Sequence, residues 1–459
     1  MILKRYFVEG LAHASYLIGS KGEAAVVDPK RDVGDYLADA AAEGLRITAI
    51  LNTHPHADFA SGFIELAQRS GATIYTSHLA PVIYQHRPAK DGDRITVGDL
   101  EIEMLETPGH SPDSLSFLVS KDGKPDVVFT GDLLFVNDVG RPDLRDADAD
   151  PVVLADQLYD SLFNKILSLP GTVKVYPAHG AGSLCGRALG SAPFTTVAQE
   201  QQNNWAAQIK DRKEFVKQMT ANLPARPAYF SYDVGINVQG ASPYSELPAL
   251  KQLTEEQVKT AASAGAYVID TRTGPFFGAG HFPGSLNIGM GSAMFSTWTG
   301  FFVPGGKPIV LVVGAAANAA KARLELARIG FDNVVGYAEA DSLHETRQLS
   351  QLSVCDLKSG LKRGDAPIVL DVRTPGEWNS SHIEGAEHIP LPALLKRMEE
   401  CPKDQPLAVI CGSGYRSTIA ASILMGAGFT RVQNVMGGMG AYQETKCASW
   451  QAADLVFAK

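Results

Sequence analysis

The stretch Thr53-His54-Pro55-His56-Ala57-Asp58-Phe59 follows an apolar run, residues 47–52, that predicts a buried β-strand. Side chains placed directly after such a strand project from its carboxyl end, where loops are free to carry function. Three further polar pairs follow predicted strands in the same way, namely Gly109-His110, Gly131-Asp132 and Ala178-His179. Because imidazoles and carboxylates from four such loops converge, the sequence predicts a site for a divalent metal.

The first 190 residues alternate short β-rich runs with helical patterns, which indicates a layered α/β domain and neither an all-α fold nor a β-sandwich. The predicted strands cover residues 23–28, 47–52, 73–76, 101–106, 114–119, 127–130 and 173–176. The predicted helical segments cover residues 32–43, 61–69, 151–167 and 193–220. Proline and glycine then cluster over residues 223–248, which predicts an extended connector and a domain boundary near residue 245.

The remainder of the chain contains an internal repeat. Asp270-Thr271-Arg272 and His281 recur 101 residues later as Asp371-Val372-Arg373 and His382, and a second set of matches, beginning with Pro308, recurs at an offset of 98. Each copy of about 100 residues runs strand, loop, strand, helix, strand, which predicts parallel sheets with helical crossovers. We therefore expect one large and two small domains, over residues 1–244, 245–349 and 350–459.

The four loop motifs, His54-x-His56-x-Asp58, Gly109-His110, Gly131-Asp132 and Ala178-His179-Gly180, resemble the metallo-β-lactamase superfamily over residues 1 to about 220. That resemblance implies an αββα sandwich with the metal between the sheet edges. Dinuclear zinc hydrolases of this superfamily, such as glyoxalase II, have a histidine directly after the aspartate that helps to hold a second metal.

In this sequence that position is Phe59, so a second metal would keep only Asp58, Asp132 and His179. Because a closed zinc site normally has four ligands, we expect a mononuclear site, although water could fill a vacancy.

Among mononuclear members the sequence resembles the persulfide dioxygenases, whose metal is Fe(II). The resemblance implies one iron per chain, with zinc compatible as purified, and three ligands, His54, His110 and Asp132. Such a facial triad leaves three positions for substrate sulfur, O2 and water. The resemblance also implies hydrogen-bonding groups that orient the ligands and the sulfur, namely His56, Asp58 and His179.

Two further residues have two interpretations each. Arg141, nine residues after Asp132, either pairs with a carboxylate of a thiol substrate such as glutathione or braces its own loop. Cys185, six residues after His179, is either a substrate-side thiol or persulfide relay, or an inert buried residue.

The second copy of the repeat resembles a rhodanese sulfurtransferase domain. The resemblance rests on Asp371-Val372-Arg373 with Glu377, on His382, and on the segment Cys411-Gly412-Ser413-Gly414-Tyr415-Arg416-Ser417. Cys411 ends an apolar strand and opens a loop into a helix, where backbone N–H groups and Arg416 favour an anion. We therefore expect Cys411 to carry sulfane sulfur as a persulfide with Arg416 as its catalytic partner. The substrate-binding loop then comprises Gly412, Ser413, Gly414, Tyr415 and Ser417.

The first copy lacks this chemistry, because Val313 stands at the position of Cys411 and Asn318 at that of Arg416. We expect it to be inactive in sulfur transfer and to serve as a spacer or docking surface. The other cysteines, Cys355, Cys401 and Cys447, are expected to be structural.

Composition limits the partners. The 459 residues include 41 basic and 50 acidic side chains, a net charge of −9 without a basic run, which argues against binding to nucleic acid or an anionic membrane. Glu9 precedes any apolar signal region, and five scattered cysteines without a CxxC motif favour a reducing compartment. We therefore expect a cytoplasmic protein without a membrane segment. The sequence does not fix the oligomeric state, and a homo-oligomer is one of the states that it allows.

The sequence thus predicts a bifunctional enzyme of hydrogen sulfide detoxification. The expected first activity is Fe(II)- and O2-dependent oxidation of a persulfide, glutathione persulfide or similar, to sulfite and thiol. The expected second activity is sulfane-sulfur transfer through a Cys411 persulfide, which forms or uses thiosulfate. The alternatives are a glyoxalase II-like thioester hydrolase that uses a metal-bound hydroxide, and a non-catalytic sulfide-responsive scaffold.

Overall fold

The structure, a computed structural model, describes residues 1–145, 149–221, 223, 226–445 and 447. Its contacts group the chain into two units. Unit 1 comprises Met1–Ala249, Ala293–Gly306 and Arg323–Asp332, and unit 2 comprises Leu250–Ser292, Lys307–Ala322 and the chain from Asn333 onward. The three domains expected from the sequence stay a prediction, and residues 448–459 of the third lie outside the described residues.

Unit 1 contains two six-stranded sheets. In each sheet, strands that are neighbours in space also follow one another along the chain. The one interruption is a separate two-stranded hairpin, which lies in the sequence between the fourth and fifth strands of the second sheet. The first sheet consists of β1 (Ile2–Val8), β2 (His13–Ser20), β3 (Glu23–Val27), β4 (Arg46–Leu51), β5 (Thr73–Ser77) and β6 (Arg87–Ala89). The second consists of β7 (Arg94–Val97), β8 (Leu100–Glu106), β9 (Leu115–Lys121), β10 (Lys124–Gly131), β13 (Lys174–Pro177) and β14 (Thr195–Thr196), and the hairpin is β11 (Leu134–Phe135) with β12 (Asp138–Val139).

The described residues form α-helices in both units. The α-helices up to residue 302 are α1 (Gly34–Ala42), α2 (Phe63–Ser70), α3 (Pro151–Asp160), α4 (Val197–Asn203), α5 (Arg212–Thr220), α6 (Phe230–Gln239), α7 (Glu255–Ser263), α8 (Gly274–Ala279) and α9 (Phe295–Phe302). Those that follow are α10 (Ala317–Ala327), α11 (Val354–Arg363), α12 (Pro375–Ser380), α13 (Leu394–Arg397), α14 (Tyr415–Gly426) and α15 (Gly438–Glu444).

Three apolar layers hold unit 1 together. Tyr16 and Val27 of the first sheet meet Phe117 and Phe129 of the second in a core between the two sheets. A second layer packs α1 and α2 on the outer face of the first sheet, and a third packs α3 and α5 on that of the second. Because each sheet buries one face against the other and one face against helices, the predicted αββα sandwich is confirmed.

Most of the predicted elements of unit 1 are present, but the prediction of an extended connector over residues 223–248 is wrong. Residues 223–248 include α6, whose Phe230, Asp233 and Asn237 are fully buried. The flanking prolines and glycines suggested an irregular chain, whereas Phe230, Val234 and Asn237 recur at helical spacing and place one face of α6 in the interior. Residues 224–225 of that connector lie outside the described residues.

The internal repeat is reproduced in the strand pairing of unit 2. The first copy forms a parallel sheet in the order β16-β15-β17-β18, and the second forms one in the order β19-β23-β22-β20-β21. Tyr267 pairs with Ile309 in the first copy, and Ile368 pairs with Leu407 in the second, which preserves both sequence offsets. The strands are β15 (Tyr267–Asp270), β16 (Leu286–Asn287), β17 (Ile309–Val313), β18 (Val334–Glu339), β19 (Ser350–Leu352), β20 (Ile368–Asp371), β21 (Glu387–His388), β22 (Leu407–Ile410) and β23 (Val432–Val435).

Two segments of the first repeat belong to unit 1 and are held there by ion pairs. The guanidinium of Arg328 donates to both carboxylate oxygens of Asp32 at 2.9 Å, and Arg31 donates to Asp332 at 2.6 Å. In addition, Thr297 of α9 donates to the carbonyl of Gly10 at 3.3 Å. The first repeat therefore supplies part of the interior of unit 1, in addition to its own sheet.

Two findings bear on the cysteines and on membranes. Cys355 and Cys447 form a disulfide, which the spacing of the cysteines did not predict, whereas Cys185, Cys401 and Cys411 are free and buried. None of the described helices combines the length and the apolar composition that a membrane span requires.

Candidate metal centre and sulfur-transfer loop

The loop that carries the two histidines and Asp58 is fixed at its start by Asp28. This residue directly follows β3 and has a left-handed backbone (φ 48°), and its two carboxylate oxygens accept from the N–H and the hydroxyl of Thr53, each at 2.8 Å. The hydroxyl of Thr53 also lies 3.0 Å from Nδ1 of His54. Asp28 therefore fixes both the start of the loop and the ring that follows it.

The end of the same loop is fixed by Asn237 of α6. Its side-chain amide donates to the carbonyls of His56 and Phe59 at 2.8 and 2.7 Å, and its oxygen accepts from the N–H of Ser61 at 2.8 Å. Asn237 is fully buried, so these three bonds use its amide without competition from water. Sequence reasoning missed Asn237 and Asp28, and for Asn237 the only signal was its helical spacing from Phe230 and Val234.

His54, His110 and Asp132 lie close together in the structure. One nitrogen or oxygen from each lies within 4.8 Å of the others, and Oδ2 of Asp132 is 3.9 Å from Nε2 of His54 and 3.6 Å from Nε2 of His110. All three side chains are buried, and neither Nε2 of His54 nor Oδ2 of Asp132 has a hydrogen-bond partner in the described structure. Buried nitrogen and oxygen atoms without hydrogen-bond partners suit a divalent metal, because the metal would accept their lone pairs.

The protonation states suit metal binding. Burial, with His56 beside it, holds the pKa of His54 well below its ordinary value, which keeps the imidazole neutral. Nδ1 of His110 lies 2.9 Å from the carbonyl of Arg141 and donates to it, so Nε2 is the nitrogen with a lone pair. Burial alone would raise the pKa of Asp132, but the charge and hydrogen bond of His179 hold it well below its ordinary value.

His179, Asp58 and His56 surround this cluster. Nδ1 of His179 lies 2.6 Å from Oδ1 of Asp132, and Nε2 lies 2.8 Å from Oδ2 of Asp58. Burial alone would lower the pKa of His179, but these two carboxylates hold it well above its ordinary value. The ring of His56 packs at 4.0 Å from that of His54.

Phe59 fills the position at which a dinuclear hydrolase has an imidazole. Its ring lies 3.8 Å from that of His13 and 4.4 Å from that of His56, measured between centroids, and it is 1% exposed. His13 is a further residue that sequence reasoning missed. It is fully buried, and neither of its ring nitrogens has a hydrogen-bond partner among the described residues.

Of the two interpretations of Arg141, substrate binding and loop bracing, its contacts favour loop bracing. Its guanidinium is buried, with Nε and Nη2 donating to the two carboxylate oxygens of Asp143 at 2.9 and 2.7 Å and Nη1 donating to the carbonyl of Leu184 at 3.3 Å. A guanidinium engaged in this way is poorly placed to bind the carboxylate of a substrate. Arg141 thus connects the loop after Asp132 with the loop of Cys185.

Cys185 lies beside the candidate ligand residues, as the relay interpretation requires. Its sulfur is within 4.8 Å of ligand atoms of Asp58 and His179, and the residue is 1% exposed. Burial, with Asp58 and Asp132 nearby, raises the pKa of the Cys185 thiol well above its ordinary value. In the absence of a cation the thiol is therefore protonated, which disfavours it as a nucleophile.

The sulfur-transfer loop lies in unit 2, between β22 and α14. The N–H of Gly414 donates to the sulfur of Cys411 at 3.1 Å, and the hydroxyl of Ser417 lies 3.4 Å from the same atom. Ser417 in turn donates to Asn434 at 2.6 Å. These groups converge on a single buried sulfur and could stabilise negative charge on it.

Glycines permit the close packing of this loop. Gly438 has a φ of 59°, and a Cβ there would lie 2.4 Å from the carbonyl oxygen of Cys411. The N–H of Met439 donates to that same carbonyl at 2.7 Å. The backbone at the start of α15 therefore supports Cys411 directly, which requires glycine at position 438.

Arg416 forms a bidentate ion pair with Glu377, at 2.8 and 2.6 Å. The guanidinium of Arg416 lowers the pKa of Glu377 to about 2, so the carboxylate stays charged. The sequence placed Arg416 beside Cys411 but did not predict this partner. A cavity next to the loop is lined by Ser413, Gly414 and Tyr415 together with residues of the first repeat that include Thr273 and Gly289.

The first repeat has no sulfur at the equivalent point. Val313 ends β17 and is fully buried, and α10 begins four residues later at Ala317. Each copy retains its own ion pair with a fully buried aspartate, Asp270 with Arg272 and Asp371 with Arg373, at 2.6 Å. The two copies thus share a scaffold and differ in the loop.

Comparison with known proteins agrees with this division. A family model described as the metallo-β-lactamase superfamily matches residues 8–179, and one described as a rhodanese-like domain matches residues 353–445. The chain is 30% identical over 244 residues to the mitochondrial persulfide dioxygenase ETHE1 of Bos taurus, which covers 52% of this chain and 88% of that protein.

Two other relatives broaden the comparison. A hydroxyacylglutathione hydrolase of Francisella tularensis subsp. novicida is 35% identical over 186 residues, covering 39% of this chain and 68% of that protein. The crystal structure of a metallo-β-lactamase from Staphylococcus aureus is 32% identical with a TM-score of 0.66, and the match covers 74% of this chain and 99% of that one.

Proposed function

Because the chain belongs to the metallo-β-lactamase superfamily and carries a rhodanese-like domain, we propose that it couples persulfide oxidation to sulfane-sulfur transfer. The proposed first reaction converts one persulfide, one O2 and one water into one thiol, one sulfite and two protons. The two sulfur atoms of the persulfide together lose four electrons, which O2 accepts. Glutathione persulfide is the substrate that we propose to test first.

The residues of unit 1 suit this reaction. His54, His110 and Asp132 would hold iron(II), which would supply the redox chemistry for a persulfide and O2. Around it, the carbonyl of Arg141 holds His110 in the tautomer that can bind metal, and His179 keeps Asp132 ionised and oriented. The burial of all three ligands limits the access of bulk water to the site.

The single observation that carries the proposal is the pairing of Phe59 with an intact Cys411 loop in one chain. Phe59 removes the imidazole on which a dinuclear hydrolase depends, and Cys411 supplies a thiol for sulfur transfer. The test is to measure iron content and O2 uptake with glutathione persulfide. Iron at one per chain with O2 consumption and sulfite release supports the proposal, and a chain with bound iron that consumes no O2 contradicts it.

The proposed second reaction occurs at Cys411. Its thiolate attacks the outer sulfur of thiosulfate, a new S–S bond forms, and the S–S bond to sulfite breaks so that sulfite leaves with the electron pair. The N–H of Gly414 and the hydroxyl of Ser417 stabilise the resulting persulfide. In the reverse direction, sulfite from the first reaction accepts the outer sulfur of the Cys411 persulfide and becomes thiosulfate.

A thioester hydrolase is the second candidate function. It is favoured by the 35% identity to a hydroxyacylglutathione hydrolase and by the presence of another cluster of ligand atoms beside the first. Such an enzyme requires a metal-bound hydroxide as nucleophile. The hydrolysis of S-lactoylglutathione by the zinc-loaded chain, without O2 uptake by the iron-loaded chain, would favour this function over persulfide oxidation.

A further inference from the structure

The disulfide between Cys355 and Cys447 takes no part in either proposed reaction. Both of its residues are partly exposed, whereas Cys185, Cys401 and Cys411 are buried. Of the five cysteines these two are therefore the more accessible to dissolved thiols and persulfides. The scattered cysteines favour a reducing compartment, where a disulfide is normally transient and either catalytic or redox-sensing.

Cys355 stands at the start of a helix. It is the second residue of α11, and Ser353 caps that helix by accepting from the N–H of Asp356 at 3.1 Å. The N–H groups in the first turn of a helix favour negative charge, so this position suits a sulfur that attacks as a thiolate. Cys447, just beyond the end of α15, is then the partner that closes the disulfide.

The disulfide closes a segment that contains the whole sulfur-transfer loop. Cys355 and Cys447 are 92 residues apart in the sequence, and Cys411 lies between them. The helix that ends just before Cys447 also supports the loop directly, because the N–H of Met439 in α15 donates to the carbonyl of Cys411 at 2.7 Å. The disulfide therefore ties the helix that supports Cys411 to α11.

Non-covalent contacts hold the same end of α15. Nζ of Lys358 in α11 donates to the carbonyl of Thr445 at 2.9 Å and lies 4.8 Å from the centre of the Tyr442 ring. The side-chain amide of Gln443 donates to the hydroxyl of Ser381 at 2.8 Å in an exposed hydrogen bond. These contacts remain when the disulfide opens, so we expect the sulfur-transfer loop to loosen and not to unfold.

We propose that Cys355 and Cys447 form a second sulfur-reactive site, a dithiol that an alkyl persulfide oxidises to the disulfide. The thiolate of Cys355 attacks the outer sulfur of the persulfide, a new S–S bond forms, and the thiol leaves with the electron pair of the old one. The thiolate of Cys447 then attacks the sulfur of Cys355, the disulfide forms, and the outer sulfur leaves as hydrosulfide. One persulfide and two cysteine thiols thus become one thiol, one hydrogen sulfide and one disulfide, and the two electrons that the cysteines lose reduce the outer sulfur.

The state of this pair then controls the sulfur-transfer loop. A reducing thiol reopens the disulfide by exchange, and two such thiols become a disulfide of their own. Sulfur transfer at Cys411 is therefore fastest when persulfide is abundant, because α15 is then tied to α11. The inference rests on the proposed function only for the choice of a persulfide as the oxidant.

The first experiment supplies the persulfide directly and excludes O2, so that it does not depend on the iron reaction. The full-length chain is reduced, freed of reductant and treated with glutathione persulfide, and the released sulfide and the linked peptides are measured. We expect a peptide that links Cys355 to Cys447 and one sulfide for each disulfide formed, above the background without protein. Cys401→Ser is a matched control that should retain both. No linked peptide in the wild type, or equal sulfide release from Cys355→Ser, would overturn the proposal.

The second experiment compares the wild type with the pair closed and with the pair reduced, after the reductant is removed. We expect reduction to slow thiosulfate:cyanide transfer severalfold and to lower the calorimetric transition of unit 2 by several degrees, because the constraint on the enclosed segment is lost. Cys447→Ser should show the lower values under both conditions, and the reduced wild type distinguishes this effect from misfolding of the variant. Equal rates in the two wild-type states would overturn the coupling to Cys411. A chain that consumes no O2 with persulfide would contradict the proposed function and leave both results unaffected.

Discussion

Nδ1 of His179 and Oδ1 of Asp132 are 2.6 Å apart, and this hydrogen bond joins the two clusters of ligand atoms. It leaves Oδ2 of Asp132 directed toward the histidines of the first cluster and Nε2 of His179 directed toward Asp58. A change at either residue should therefore act on both clusters, whereas a change at His110 should act on the first alone.

The first prediction is that His110→Ala and Asp132→Ala abolish iron binding and O2 uptake but leave thiosulfate:cyanide sulfur transfer largely intact. The reason is that these residues belong to unit 1 and Cys411 to unit 2, so the two losses should be independent. Iron analysis, an O2 electrode and the sulfur-transfer assay on the same preparations measure the three quantities. Full iron content with normal O2 uptake in either variant would show that the triad assignment is wrong.

The second prediction concerns Asn237, which holds the metal loop from α6. Asn237→Ala removes three hydrogen bonds and leaves buried carbonyls unpaired, at a cost of about 1–3 kcal/mol for each group left unsatisfied. We expect a lower melting temperature and weaker iron binding, measured by calorimetry and by competition with a chelator. The matched control is Asn203→Ala at the exposed end of α4, which should change neither. Normal iron affinity in Asn237→Ala would mean that the loop keeps its conformation without the three hydrogen bonds of Asn237.

The sequence predicted that the four loop motifs would converge because each of them follows a strand, and the carboxyl ends of neighbouring strands meet at one edge of the sandwich. His54, His110, Asp132 and His179 could thus be placed without knowledge of the packing. Asn237 could not, because it bonds to residues 178 and 181 positions earlier in the chain and its helix lies in a segment rich in proline and glycine. Long-range polar contacts of this kind leave no local pattern.

Cys185 shows a different limit. Its distance from His179 in sequence suggested proximity to the metal, but its function depends on whether the loop turns back toward Asp58. That turn is set by the bonds to Ser183 and Arg141, which form only in the folded chain. Similarly, the motif placed Arg416 beside Cys411 but gave no sign that Glu377 would engage its guanidinium.

The third prediction follows from that ion pair. Arg416 lowers the pKa of Glu377 from 4.5 to about 2, so the charged carboxylate contributes stability that is present above pH 4.5 and is lost as the pH falls toward 2. Glu377→Gln should therefore lower the calorimetric transition of unit 2 near neutral pH, and its difference from the wild type should shrink in acid. Glu400→Gln, which breaks a solvent-exposed pair with Arg397, should have a smaller effect. A difference that does not vary with pH would contradict the assignment.

The last prediction concerns the duplicated pair of sheets. Cys411→Ser should eliminate thiosulfate:cyanide activity, because serine cannot hold a sulfane sulfur, while persulfide oxidation continues and sulfite accumulates. Adding Val313→Cys should not restore transfer. At the positions of Gly414, Arg416 and Ser417 the first copy has Ala316, Asn318 and Ala319, so the left-handed glycine, the guanidinium and the hydroxyl are all missing.

The assay compares Cys411→Ser with the Cys411→Ser/Val313→Cys double variant under identical conditions. Because Val313 is fully buried at the end of β17, the small change to cysteine should leave the sheet intact, so folding is not expected to limit the result. Recovery of activity in the double variant would show that a thiol on this scaffold is sufficient and that the loop residues are dispensable. Substantial activity in Cys411→Ser itself would mean that Cys185 or another cysteine carries the sulfur, and the assignment of transfer to unit 2 would be wrong.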